Sequence, residues 1–157
     1  MTQEERNLLI KDLCGRLPYG VIVKKEYSFD FTNGTISKSK KIERLDLEDI
    51  DYLISGDNCI DVLKPYLRPM SSMTEEERED FWKNVLDIDW RELEFDEEPN
   101  EVPFPFTEND CGFYLDFNYL ADLFAVFDWL NAHHFDYRGL IQKGLAISTE
   151  EFNPYKD

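Results

Sequence analysis

The chain has 157 residues, with 17 basic and 34 acidic side chains and a formal net charge of −17. Its length suits a single domain, which buries roughly 70% of the surface its unfolded chain exposes. With 12 Phe, 8 Tyr and 3 Trp as core material, neither a disulfide framework nor a structural metal is required, and so negative a surface repels nucleic-acid phosphates while attracting basic partners.

Thr2-Gln3-Glu4-Glu5 forms a capping-box pattern. Leu9, Ile10, Leu13 and Leu17 follow at helical spacing, and Gly15 and Pro18 close the segment, so a first helix is expected over about 3–14. The charges flanking the short apolar run in MTQEERNLLIKDL do not suit a secretory signal.

Val21-Ile22-Val23 leads into Tyr27, Phe29 and Phe31, which alternate with polar residues. Asn33-Gly34 then suits a two-residue type I′ turn, with the return strand beginning at Thr35-Ile36-Ser37. Lys38, Lys40 and Lys41 read as the solvated end of this hairpin. Further short strands are expected at 42–47 and 59–63, around a turn at 55–58, giving a small antiparallel meander that curls toward a barrel. Lys64-Pro65-Tyr66-Leu67-Arg68-Pro69 reads as an extended connector, because each proline lacks a backbone donor and restricts the residue before it.

Thr74-Glu75-Glu76-Glu77 repeats the capping-box pattern, and Phe81, Trp82, Val85 and Leu86 mark a second helix over about 74–86. Ile88, Trp90, Leu93 and Phe95 suggest a short strand within an acidic, proline-containing loop or insertion at about 87–112. Leu120, Leu123, Phe124, Phe127 and Leu130 mark a third helix over about 117–132, apolar enough around its circumference to be the central core helix. Asp122 and Asp128 interrupt its most apolar stretch, which is too short to span a bilayer. A last short helix is expected at 138–144. The fold class is α+β, one domain over 1–157, with about three to four helices against the sheet. No membrane segment is expected, and a cytoplasmic location follows.

Three segments resemble a family of small acidic proteins of gut Bacteroidetes and their phages or mobile elements. They are Leu13-Cys14-Gly15-Arg16-Leu17-Pro18-Tyr19-Gly20-Val21, the run from Lys64 through Pro69 to Thr74, and the run from Phe127 through His133-His134 to Ile141. The resemblance implies a mobile-element provenance and carries no activity.

Cys14, Cys59 and Cys111 are an odd number, far apart and without a C-x-x-C pair, and read as small core residues in a reducing compartment. His133 and His134, with Asp128 and Asp136 nearby, are the metal candidates. Adjacent helical positions point about 100° apart, so the histidines read first as capping or packing groups at the end of the third helix. The pairs Asp87/Asp89 and Asp49/Asp51 would share a strand face and could hold a hard cation, although in so acidic a chain they read as solvated carboxylates. Cys111 with either histidine supplies the composition of a nucleophilic site without its spacing. No phosphate-binding glycine loop, dinucleotide fingerprint or nucleophile elbow is present, and no cofactor is expected.

The charge is concentrated. Residues 75–101 hold thirteen acidic and three basic side chains, whereas residues 1–42 hold eight basic and five acidic. The leading expectation is therefore a non-enzymatic acidic binding module, mobile-element-encoded and host-modulating, that docks on a basic protein surface. Glu94, Glu97 and Glu98 would supply its charge, and Trp90, Phe104 and Phe106 its apolar anchors. The alternative is a small metal-dependent hydrolase built on the His133/His134 region.

Overall fold

The computed structural model describes residues 1–30, 36–56, 60–95, 99–109, 112–114 and 123–156. Helix α1 (Gln3–Arg16) starts with the expected capping box. Glu5 N–H donates to Thr2 Oγ1 at 3.2 Å, and Thr2 N–H donates to Glu5 Oε2 at 2.6 Å. The helix runs through Gly15, where an added methyl would lie 3.3 Å from Asn131 Nδ2, so the small residue permits a close approach between two helices.

Strands β1 (Ile22–Asp30) and β2 (Ile36–Arg44) pair antiparallel from Ile22↔Arg44 to Asp30↔Ile36, confirming the hairpin strands. The Asn33-Gly34 turn lies outside the described residues. The region expected to begin another strand at 42–47 instead ends β2 and opens helix α2 (Leu47–Ser55). Asp46 caps that helix by accepting from Asp49 N–H at 3.0 Å, while Asp49 returns the bond to Asp46 N–H. Ile50 and Leu53 bury its inner face.

Strand β3 (Val62–Leu67) contains Pro65, which corrects the expectation of an extended connector. The reason is the direction of its missing donor. Tyr66 turns its carbonyl toward β1 and Leu67 turns its own toward the other neighbour, where it accepts from Thr149 N–H. By alternation, the Pro65 nitrogen faces away from β1, and β6 (Ile147–Ser148) begins pairing only at Tyr66. Tyr155 completes the β1–β3 edge: its hydroxyl accepts from Ile22 N–H at 3.0 Å and donates to the Tyr66 carbonyl at 2.9 Å.

The sheet order is β2-β1-β3-β6, with β6 parallel to β3. It is an open mixed sheet, not a barrel-like meander, and the α+β class stands. A separate two-stranded ribbon joins β4 (Thr107–Asn109) to β5 (Gly112–Tyr114).

Helix α3 (Glu75–Asp80) carries the second capping box on Thr74 and continues as a π turn through Phe81–Val85. Helix α4 (Leu123–Ala132) departs from its expected central position. Val126, Leu130 and Asn131 are buried, while Leu123 and Phe127 are 48% and 44% exposed and Phe124 is 83% exposed. Residues 138–144 form turns, not a helix; Gly139 and Gly144 take positive φ there. Residues Trp90–Glu92 form one 3-10 turn in place of the expected strand.

Among the described residues, the buried side chains form two hydrophobic clusters. The first joins α1, β1, α2 and β3 with Leu140 and Leu145. The second gathers Met70, Met73, Phe81, Trp82 and Leu86 with Val102, Phe106, Val126, Leu130 and Phe135. The segment expected as an acidic insertion thus contributes Val102 and Phe106 to a core. Among the described residues, no helix is long and apolar enough to cross a membrane.

Candidate functional site

Helix α4 ends in a Schellman arrangement. Phe135 N–H reaches the Leu130 carbonyl at 3.0 Å, His134 N–H reaches that of Asn131 at 3.1 Å, and His134 has φ 59°. His133 Nδ1 lies 2.8 Å from the Trp129 carbonyl, and its ring stacks on Trp129 at 3.9 Å. The His134 ring stacks instead on Tyr155 at 4.2 Å, with Nδ1 buried and without a partner. Burial first, then the charges of Arg16, His133 and Arg68, push the His134 pKa down to about 4.

The two aspartates have separate tasks. Asp136 accepts from Leu140 N–H and Ile141 N–H, both at 2.8 Å, which fixes the turn after α4. Burial raises its pKa against the pull of those two donors. Asp128 is exposed and faces Tyr19, whose pKa it raises by hydrogen bonding. His133, His134, Asp128 and Asp136 therefore do not converge, and no group of three or more metal-ligating side chains occurs among the described residues.

The D-x-D pairs also separate. Asp49 sits in the first turn of α2, and Asp51, two residues on, points elsewhere; the strand assumed for them is absent. Asp89 caps the turn at Trp90, and Asp87 lies at positive φ in the chain reversal before it. Cys14 is exposed, which corrects its assignment to the core; Cys59 and Cys111 lie outside the described residues.

Two buried charge clusters escaped the sequence reading. Arg16 and Asp12 are both 0% exposed, joined at 2.6 Å and 3.1 Å, and Arg16 Nη2 also reaches the Phe135 carbonyl at 2.7 Å. The Tyr137 ring lies beside the guanidinium groups of Arg16 and Arg138, and its hydroxyl donates to Asn131 Oδ1. In the second cluster, Lys25 is 3% exposed and contacts Asp49 at 2.6 Å and Glu43 at 3.0 Å. Burial acts to lower the Lys25 pKa, but those hydrogen bonds outweigh it and hold the ammonium charged. The i, i+4 spacing of Asp12 and Arg16 was the only available signal, and it resembles an ordinary surface helix pair.

The described acidic residues of 75–95, with Glu101, lie over the second core. Glu75, Glu76, Asp80, Asp87, Asp89, Glu92, Glu94 and Glu101 are exposed. Several are anchored: Glu79 accepts from Trp90 Nε1 at 2.7 Å and Arg91 Nη2 at 2.9 Å, and Asp80 accepts from Trp129 Nε1 at 2.8 Å. Arg68 clamps Glu77 through two bonds, at 2.6 Å and 2.8 Å. Burial would raise the Glu77 pKa, but Arg68 and Thr74 N–H together hold it low.

Of the expected partner-binding residues, Glu94 is exposed, and Glu97 and Glu98 lie outside the described residues. Phe106 is buried, while Trp90 and Phe104 pack against the same cluster. These rings serve the core, leaving Phe95, 40% exposed, as the large apolar side chain open beside Glu94.

These features define an α+β fold with exposed carboxylates held over the second cluster. Comparison with protein-family models, with curated proteins and with solved structures finds no match.

Proposed function

We propose that the chain is a non-enzymatic binding protein that docks the acidic face around α3 and the Trp90–Glu92 turn onto a basic protein surface. One observation carries this reading: the acids are held on a packed platform instead of a loose tail. The Arg68 clamp on Glu77, the Trp90 and Arg91 bonds to Glu79, and the Trp129 bond to Asp80 all fix carboxylate-bearing backbone over the second core. A fixed field needs little reordering on docking, which lowers the cost of association. Long-range attraction raises the rate of encounter with a basic partner. The resemblance to mobile-element proteins would place that partner in a bacterial host cell and make the interaction host-modulating.

The test compares proteins captured from a bacterial lysate by the native chain and by Glu76→Lys/Glu92→Lys/Glu94→Lys. A control, Glu4→Lys/Glu48→Lys/Asp51→Lys, carries the same net charge with reversals on α1 and α2. The reading requires a basic protein retained by the native chain and the control but lost by the first variant. Equal recovery by all three would overturn it.

A further inference from the structure

The strand register places lysines on a second surface, of opposite charge. Alternate residues of a strand share a face, so Lys38 and Lys40 lie on the side of Ile42 and Arg44. The register sets Lys40 opposite Glu26, Ile42 opposite Lys24, and Lys24 opposite Lys64 of β3. Lys24, Lys38, Lys40, Arg44 and Lys64 therefore line one outward face, while Val23, Leu63 and Leu67 turn the reverse face into the first core.

Glu26, paired with Lys24, stands among these cations, and Asp61 lies at the rim of a shallow cavity beside Lys38 and Lys40. The Lys24 hydrogen bond, aided by the charges of Lys40 and Lys38, keeps the Glu26 pKa below its ordinary value. Like charges directly opposite, as at Lys24 and Lys64, weaken a sheet unless an anion stands between them. Five cations on one face of a chain with net charge −17 form a local reversal of sign.

Among the described residues, the same surface borders an open edge: β2 ends the sheet order, all nine of its residues are exposed, and it contains no proline. We propose that this edge is a docking site for an extended acidic peptide, which adds as a strand beside β2. Backbone groups would supply the ladder. Lys38 and Lys40 would meet carboxylates at alternate peptide positions. Edge lysines deter basic or apolar strands, so here they select by charge. A nucleic acid would bring a long run of phosphates within range of the whole acidic molecule. A short strand is sensed over about a Debye length, roughly 8 Å, where the lysines dominate.

The experiment uses the full chain, isotopically labelled, with four probes: a Thr-Glu repeat peptide of about ten residues, its Thr-Lys counterpart, the Thr-Glu peptide N-methylated on the backbone of two successive central residues, one of which must face β2 in either strand direction, and an oligothymidylate of similar length. The Thr-Glu peptide should shift the backbone amides of 36–44 and slow their exchange. Lys38→Glu/Lys40→Glu should weaken that binding by about tenfold or more, and its spectrum away from β2 should show an intact fold. The Thr-Lys and N-methylated peptides should not bind. The proposal fails if millimolar Thr-Glu peptide leaves β2 unchanged, if the variant binds equally, or if the N-methylated peptide binds as well, which would leave charge without strand addition. It also fails if the oligothymidylate binds this face at least as tightly. The acidic face over the second core is untouched by any of these outcomes.

Discussion

Arg16 of α1 donates to the Phe135 carbonyl 2.7 Å away, joining groups 119 residues apart in the sequence. Its carboxylate partner, Asp12, is equally buried. Asp12→Ala would leave a guanidinium in the interior without a counter-charge, and a loss of about 3–5 kcal/mol is expected in chemical denaturation. Asp12→Leu/Arg16→Met should recover part of that loss, because the fully buried guanidinium goes with its counter-charge and only the half-exposed Arg138, 3.4 Å from Asp12, loses a partner. A double variant no more stable than Asp12→Ala would show that the Phe135 carbonyl contact dominates.

Helix α4 packs along one narrow stripe. Leu130→Ala, at a site 1% exposed in the second core, should cost about 2–5 kcal/mol. Phe124→Ala, at 83% exposure, should cost less than about 1 kcal/mol. Equal losses for the two substitutions would contradict this orientation of the helix.

These two cases mark what was legible in the sequence. Thr2 and Thr74 announced their helices because the capping box is a local bond pattern, and the alternation around Tyr27 announced β1. Helix α2 carried a usable signal, Asp46-x-x-Asp49 before Leu47, Ile50 and Leu53, but an aspartate in the second box position and a preceding strand concealed it. Pro65 in β3 was not readable, because its acceptance depends on where the two-residue β6 begins to pair. The apolar run of α4 gave the helix but not which side is covered, which depends on chain distant in sequence. Asp12 and Arg16 looked like a surface pair, and only the approach of Phe135 buries them. The acidic platform was visible as charge, whereas its anchoring through Trp90, Arg91 and Trp129 was not.

His134 predicts an acid sensitivity. Its folded pKa of about 4 lies below the ordinary value of 6.5, so between these values the unfolded chain binds the extra proton. Stability is therefore full above about pH 6.5 and falls as pH drops toward 4, by on the order of 2–3 kcal/mol from this residue. His134→Asn keeps a side chain that tolerates positive φ and removes the titration. The difference in stability between native and variant should vary across pH 4–6.5 and flatten above it. A difference independent of pH would contradict the buried neutral imidazole.

The separate tasks of His133, His134, Asp128 and Asp136 predict indifference to metal chelation. A chelator should leave the melting temperature unchanged, and Zn²⁺ should add no stability beyond a weak, non-stoichiometric effect. Recovery of one tightly held metal per chain, lost in His133→Ala, would contradict the geometry at the end of α4.

The acidic platform is tested most directly by the rate at which a captured basic partner associates with the chain as salt is raised. The account predicts fast association at low salt, a steep fall as the screening length shrinks, and dissociation changing much less. Glu76→Lys/Glu92→Lys/Glu94→Lys should slow association by about tenfold or more, while Glu4→Lys/Glu48→Lys/Asp51→Lys, with equal net charge, should slow it far less. An association rate insensitive to salt, or slowed equally by both sets of reversals, would contradict docking through this face.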